Sequence, residues 1–347
     1  MEIWILGALG RTGRGITAAL AARGLPVVLV GRDRARLEQA AGGARVVVAD
    51  GVEAMAAEIR RQRPAVVVNT IGEYAGSAAT IARACLPGGH YVDLAADLGW
   101  IPRLFDLHDE ALAGGSTFVT GAGFGVLATE AVVVKLCEGR PTPSAVRVDA
   151  LASYASEAGR VGAALAASIV DVLATGGRKY RNGRLVPSRL GADPQTLVLP
   201  GGETAKSAVV PSGELVAAQR ASGAPSVVAT SALAPASPAV RAVLPLLGRV
   251  LSVPGVRRFA VRRLAGIEAK AAPRPREHSW GHAVVTWPDG STREGWLRAG
   301  DAMEFTTAVA AEVAARLARG EGKPGAHTPA SALGVDVAEA AGGTFVL

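Results

Sequence analysis

The first thirty residues constrain the chain most. Residues 2–6 (Glu-Ile-Trp-Ile-Leu) form an apolar run of strand length, Gly7-Ala-Leu-Gly10-Arg-Thr-Gly13 follows at once, and Thr12 to Arg23 reads as an Ala/Leu-rich helix. Strand, glycine-rich turn and helix in that order make a dinucleotide-binding unit. Gly7 allows a tight turn off the strand, Gly10 lets the backbone approach a pyrophosphate, and Gly13 lets helix and sheet pack closely. Phosphates sit on the free N–H groups of such a helix, where the dipole favours anions. Arg11 and Thr12, set between the glycines, join them as expected cofactor contacts.

A second strand, Pro26-Val-Val-Leu-Val30, runs into Gly31-Arg32-Asp33-Arg34. In NAD-binding folds an acidic residue at this point bonds the ribose 2′-hydroxyl. Arg32 stands here instead, and a guanidinium suits the 2′-phosphate of NADP(H); the alternative is a solvated residue at a helix entry. A third strand, 45–49, ends at Asp50, placed to meet the adenine edge or to serve as a turn residue. The fourth, 65–69, is wholly apolar up to Asn69 and opens into Thr70-Ile-Gly72-Glu-Tyr74; Asn69, Thr70 and Gly72 are expected beside the cofactor. Helices follow at 52–62, 77–86 and 102–113, with further strands at 90–94 and 117–120. Strands alternating with helices over this span predict a Rossmann-like, doubly wound parallel sheet in an α/β fold.

Charge and cysteine content narrow the class. The net charge of +7 hints at nucleic acid, yet only five of the 37 basic residues are lysines and aromatics are 4%. Arginine in place of lysine reflects coding bias more readily than a binding surface, and little is left for base stacking. Nucleic acid is not an expected partner. Cys85 and Cys137 stand alone, without metal-ligand spacing, as reduced thiols of a cytoplasmic protein do. No signal peptide and no bilayer-length apolar run is read.

Beyond residue 140 the rhythm changes. A strand-like run at 145–153, a small-residue helix at 159–173, a hairpin about Asn182-Gly183 and another about Trp287-Pro-Asp-Gly-Ser291 predict a second, α+β domain. The expected division is 1–125 plus 300–347 for the nucleotide domain, its long helix spanning 301–319, and 126–299 for a substrate and dimerisation domain. A homodimer is the default assembly. One stretch stands apart. Residues 237–263 are apolar with arginines at helical intervals, and 241–276 carry nine Lys/Arg against one acid, Glu268. This is a lid helix over a substrate cavity, or a basic amphipathic surface for a peripheral membrane or carrier-protein contact.

Four landmarks bear on family: Gly7-Ala-Leu-Gly-Arg-Thr-Gly13, Val68-Asn-Thr-Ile-Gly-Glu-Tyr74, Gly89-His-Tyr-Val-Asp93 and Gly121-Ala-Gly-Phe-Gly125. With Glu304-Phe-Thr-Thr-Ala and His327-Thr-Pro-Ala, they make the chain resemble the saccharopine dehydrogenase-like reductases, which include the trans-acting enoyl reductases. The resemblance covers most of 1–140 and 300–335 and is thin between 145 and 295. It implies a closing helix that returns to the nucleotide domain, and hydride transfer between a nicotinamide and a C=N or C=C bond. The family's loop carries a proline before the aromatic residue, where this sequence has Glu73. No arginine pair marks an amino-dicarboxylate substrate, so saccharopine itself is not expected.

The proton donor for such a reaction belongs near strand carboxyl ends. Tyr74 is the first candidate, or else packs against the next helix. Asp93 is the second, or else orders the loop after its strand. Tyr154 and Glu157 are candidates from the second domain, or turn residues. His90, His278 and His282 have no partner that the sequence identifies, and no metal constellation is read. The expected function is NADPH-dependent reduction of a C=N bond in a small or medium, mostly apolar metabolite. Reduction of an enoyl C=C bond and a non-catalytic NADP(H) sensor are the alternatives.

Overall fold

The computed structural model describes the chain except Glu73, Glu157 and residues 235–237, and it leaves aside the side chains of 164 and 238–242. The candidate acid Glu157, the loop residue Glu73 and the start of the 237–263 stretch therefore lie outside the described residues. The chain divides into two units: 1–127 with 303–342, and 128–302 with 343–347.

In unit 1, β1 (Ile3–Leu6) is buried at every position. Helix α1 (Arg11–Ala21) starts from an extended Gly10 and turns Gly13, Ile16 and Leu20 inward at helical spacing. Next come β2 (Val27–Gly31), α2 (Arg34–Ala41), β3 (Arg45–Val48), α3 (Val52–Gln62) and β4 (Val66–Asn69). Helix α2 is capped by the Asp33 carboxylate and closed by left-handed Gly42. After α4 (Tyr74–Ala84) and β5 (His90–Asp93), the predicted 102–113 helix is two, α5 (Ile101–Phe105) and α6 (His108–Ala113). Leu104 and Leu107 are both buried, and a bond from Leu107 N–H to the Leu104 carbonyl tightens the turn between the helices. Strand β6 (Thr117–Val119) leads into α7 (Phe124–Cys137).

Unit 2 opens on β7 (Ala145–Leu151), β8 (Gly159–Arg160) and α8 (Ala163–Thr175). The Asn182-Gly183 hairpin joins β9 (Gly177–Arg181) to β10 (Arg184–Ser188), and both turn residues take positive φ, as a type I′ turn requires. There follow β11 (Gln195–Val198), β12 (Thr204–Val209), α9 (Gly213–Ser222), β13 (Ser226–Ser231), α10 (Pro238–Leu251), α11 (Pro254–Ala265) and β14 (Glu268–Ala269). The Trp-Pro-Asp-Gly turn links β15 (Ser279–Thr286) to β16 (Thr292–Ala299). The mixed sheet runs β10-β9-β13-β7-β15-β16, with β11 and β12 attached through β13. Gly281 of β15 lies so close to α7 that a Cβ there would meet Ala128 at 2.6 Å.

The chain then re-enters unit 1 as α12 (Ala302–Ala318), β17 (Gly325–His327), α13 (Pro329–Leu333) and α14 (Asp336–Ala340). The described strands of unit 1 form a parallel sheet in the order β17-β6-β5-β4-β1-β2-β3. The order reverses between β1 and β4, which makes their carboxyl ends the crevice of a doubly wound sheet. Strand β17 was not read in the sequence. It is three residues long and pairs in parallel with β6, in the register Ala326 to Phe118. Helix α12 returns to the sheet, with Thr307 2.9 Å from where a Gly15 Cβ would stand. Residues 343–347, expected in the first domain, belong to unit 2, because β18 (Thr344–Val346) adds antiparallel to β16.

Candidate active site

Backbone crowding builds the site at the crevice. Gly7 takes a φ of +76°, and a Cβ on it would stand 2.8 Å from Thr70 Oγ1. Thr70 in turn donates its hydroxyl to the Leu6 carbonyl at 2.7 Å, so the loops after β1 and β4 are joined directly. A Cβ on Gly13 would lie 2.5 Å from the Gly7 carbonyl oxygen, closer than any side chain allows. Gly10 N–H bonds the Gly7 carbonyl at 2.9 Å and leaves Gly10 exposed at the N-cap, with no side chain capping the helix and no acid in its first turn. Arg11 is exposed and Thr12 half-buried beside it. The glycines thus leave an open, uncapped helix end of the kind that attracts anions.

The ends of β2 and β3 lie side by side, with Gly31 in register with Val48 and Ala49 N–H bonded to the Gly31 carbonyl. Arg32 therefore neighbours the end of β3, beyond which Asp50 is exposed. The Arg32 side chain is exposed and has no hydrogen-bond or ion-pair partner among the described residues. The acid beside it is already occupied, since Asp33 accepts the Arg36 N–H at 3.1 Å as the cap of α2. Arg34 pairs with Glu38 along the same helix.

Asn69 is buried at the end of β4 and both ends of its amide are in use. Its Nδ2 donates to the Tyr91 hydroxyl at 3.1 Å, and its Oδ1 accepts the Ile71 N–H at 3.0 Å, which bends the loop that carries half-buried Gly72. The Tyr74 hydroxyl points back to the Asn69 carbonyl at 3.4 Å. Burial, then the charge of Asp93, push this phenol far up, so it is protonated throughout the physiological range.

Asp93, expected as a second proton donor or as the residue that orders the loop after its strand, has the hydrogen bonds of a brace. It is fully buried and accepts from Trp100 Nε1, the Thr120 hydroxyl at 2.7 Å, Ala95 N–H at 3.0 Å and Gly121 N–H at 3.3 Å. Burial raises its pKa, and these donors pull against it. With both oxygens accepting hydrogen bonds, the carboxylate ties the loops after β5 and β6 together. Tyr154 lies in unit 2, half-buried in the loop after β7.

The sequence missed a polar cluster in unit 2. His282 on β15 faces Asp149 on β7 in register, its Nδ1 2.9 Å from Asp149 Oδ2 and its Nε2 3.0 Å from Glu294 Oε1 of β16. The ring stacks on Trp296 at 3.8 Å. Arg147, two residues along β7, pairs with Asp149 at 2.9 Å, and Thr230 of β13 bonds the same carboxylate. Burial alone would raise the Asp149 pKa, but His282, Arg147 and Thr230 together hold it down at about 2. Only the pairing of β7, β13, β15 and β16 brings these residues together; the period-two placement of Arg147 and Asp149 on one face was the available signal. The other histidines are ordinary. His90 accepts the Thr117 N–H at 3.0 Å, and His278 sits 3.7 Å from Glu277. No metal-binding group of His, Cys, Asp and Glu occurs among the described residues.

Comparison with known proteins bears on the fold. The structure superposes on the apo, histidine-tagged saccharopine dehydrogenase (L-Glu forming) of Saccharomyces cerevisiae over 100% of both chains, with a TM-score of 0.62 and 11% identity. The fold is that of saccharopine dehydrogenase. Serine dehydrogenase from Escherichia coli (15% identity, TM-score 0.30) covers 35% of this chain and 81% of its own. A short-chain type dehydrogenase/reductase from Mycobacterium ulcerans (16%, 0.30) covers 34% and 66%. No protein-family model and no curated protein matches the sequence.

The Asp149 cluster generates a stability test. A carboxyl depressed from its ordinary 3.8 to about 2 stabilises the folded state above pH 3.8, and that contribution is lost as pH falls through 2. Asp149→Asn is expected to lower stability at neutral pH by about 2–4 kcal/mol, the cost of breaking a buried ion pair. In chemical denaturation, the gap between the two proteins should narrow from about pH 4 to about pH 2. A gap constant over that range would show that the lost charge is not its source.

Proposed function

We propose that the protein is an NADP(H)-dependent oxidoreductase that reduces a C=N bond of a small or medium, mostly apolar metabolite. Arg32 carries the cofactor choice. It is an exposed guanidinium at the end of β2 with no partner among the described residues, where an NAD site would present a free carboxylate, and the adjacent Asp33 is held as a helix cap. The cradle of Gly7, Gly10 and Gly13 fits a pyrophosphate, with Arg11 and Thr12 at its rim, Asp50 at the adenine side and Thr70 and Gly72 at the nicotinamide side. The fold shared with a saccharopine dehydrogenase supports oxidoreductase chemistry, and the resemblance of the glycine and Asn69–Tyr74 motifs supports the C=N bond.

A nicotinamide dinucleotide bound in this cradle supplies the hydride. The chain's own residues bind it, orient the acceptor and supply the proton. Tyr74 is the group for that last task, a protonated phenol at the carboxyl end of β4 whose own donated bond, to the Asn69 carbonyl, is long at 3.4 Å. Asp93 serves at one remove, fixing the loops after β5 and β6 and raising the Tyr74 pKa. Reduction of an enoyl C=C bond is the second reading, favoured by the exposed apolar side chains of α10 and α11, which suit a lipid-like substrate.

Arg32→Asp is expected to raise the Kd for NADPH about ten- to a hundred-fold, the worth of a charge-assisted phosphate contact, and to leave NADH within about two-fold. Cofactor fluorescence titration measures both, and equal losses would rule out the 2′-phosphate contact. NADPH oxidation against panels of imines and of α,β-unsaturated ketones and thioesters tests the acceptor; turnover confined to the second panel selects the enoyl reading. On the accepted substrate, Tyr74→Phe should lower kcat about 10²-fold with NADPH affinity kept. An unchanged kcat would remove Tyr74 as donor.

A further inference from the structure

The helices α8, α10 and α11 pack on one another within unit 2. Helix α10 is seated by Gly248, whose Cβ would meet the Leu173 carbonyl of α8 at 2.6 Å. Leu244, on the same side, is buried with Leu190 and Val210, and Leu251 is buried further along the helix. That seating turns a second apolar stripe outward: Val243 is 60% exposed, Leu246 65%, and Leu247 and Val250 continue it at helical spacing. Val253 and Phe259, the latter 58% exposed, extend it on to α11, a helix without one buried residue.

Cations flank the stripe. Arg249, Arg258, Arg262 and Arg263 are exposed, and their side chains have no ion-pair or hydrogen-bond partner among the described residues. Only Arg257 is neutralised, by Asp171 of α8. Phe259 lies one helical turn from both Arg262 and Arg263.

We infer that the α10–α11 face docks the protein on an anionic lipid surface. Exposed apolar side chains bordered by unpaired arginines are the pattern of a helix that lies in a membrane interface. The residues stand out from the helices, so a fluid lipid boundary accommodates them without a matching groove. A second copy of this chain is the poorer occupant, since a two-fold contact would set these arginines against their own kind. The inference is independent of the cofactor reading. No helix among the described residues is long and apolar enough to cross a membrane.

The test is co-sedimentation of the full chain with vesicles of equal parts phosphatidylcholine and phosphatidylglycerol, and with phosphatidylcholine vesicles alone. Binding is expected to the first and not the second, and to fall with added salt as exposed charges are screened. Leu246→Glu with Val250→Glu, and separately Arg258→Glu with Arg262→Glu, should each weaken it at least ten-fold. All four side chains are exposed, so the far-ultraviolet circular dichroism of both variants should match the parent and exclude misfolding. Absence of binding to anionic vesicles, equal binding to neutral ones, or variants that bind like the parent would overturn the proposal. So would loss of self-association in the variants with vesicle binding unchanged, which would assign the face to a second copy, or saturable capture of an acidic carrier protein by a chain that ignores vesicles.

Discussion

The Gly13–Gly7 approach is the constraint on which unit 1 depends. A methyl group at Gly13 would come within 2.5 Å of the Gly7 carbonyl oxygen, so α1 can start directly above the end of β1 only while both positions lack a side chain. The consequences run outward from there. Thr70 occupies the space a Gly7 side chain would take and bonds the Leu6 carbonyl, which fixes the loop of β4 against that of β1. On the far side of α1, Gly15 admits Thr307 of α12, so the last long helix closes on the same element. The neighbouring Thr306 hydroxyl accepts the Phe124 N–H at 3.1 Å and holds the turn after β6. A chain of short contacts through glycines thus links the first strand of the unit to its last long helix.

Two buried aspartates show how burial alone fails to set chemistry. Asp93 and Asp149 are both fully inaccessible, yet their pKa values move in opposite directions. Asp93 accepts from neutral donors only, two backbone amides, a hydroxyl and an indole, and desolvation prevails. Asp149 has the full charge of Arg147 beside it as well as the His282 ring, and attraction prevails. The first carboxyl braces loops beside the crevice. The second anchors a polar row inside the sheet of unit 2 and stays ionised. A sequence gives both the same letter, and only the partners decide.

What was legible followed the range of the interactions. The strand–glycine–helix opening, the Asn182-Gly183 turn and the place of Arg32 at the end of β2 are all decided within a few residues, and each stands where its local chemistry puts it. The parallel, doubly wound sheet of unit 1 followed from alternation; the order of its strands came from the fold. The misses were contacts between distant segments. Strand β17 is three residues long and exists because β6 offers an unpaired edge. Residues 344–346 join unit 2 because β16 offers another. His282 lies 133 residues from Asp149 in the chain, and nothing near either residue announces the other. Asp93 was located correctly at a strand end, but its occupation by donors from residues 95, 100, 120 and 121 needed the fold.

Helix α10 carries the same lesson to the surface. Its sequence is apolar enough that periodicity supports burial of either side, and a lid and a docking face have the same letters. The deciding residue is Gly248. Because it has no side chain, the α8 backbone can approach on its side alone, and this choice commits Leu244 and Leu251 to the interior. Val243, Leu246 and Val250 are then left in water, where each large apolar side chain gives up about 1.5–3 kcal/mol that burial would return. A soluble protein under selection for stability alone would place polar residues there. The stripe persists next to four arginines that no carboxylate among the described residues neutralises, so the apolar surface and the uncompensated charge occur on the same pair of helices. Each is unfavourable in water and each is favourable at an anionic lipid boundary, and a single environment that reverses both signs is the simplest physical reason for finding them together.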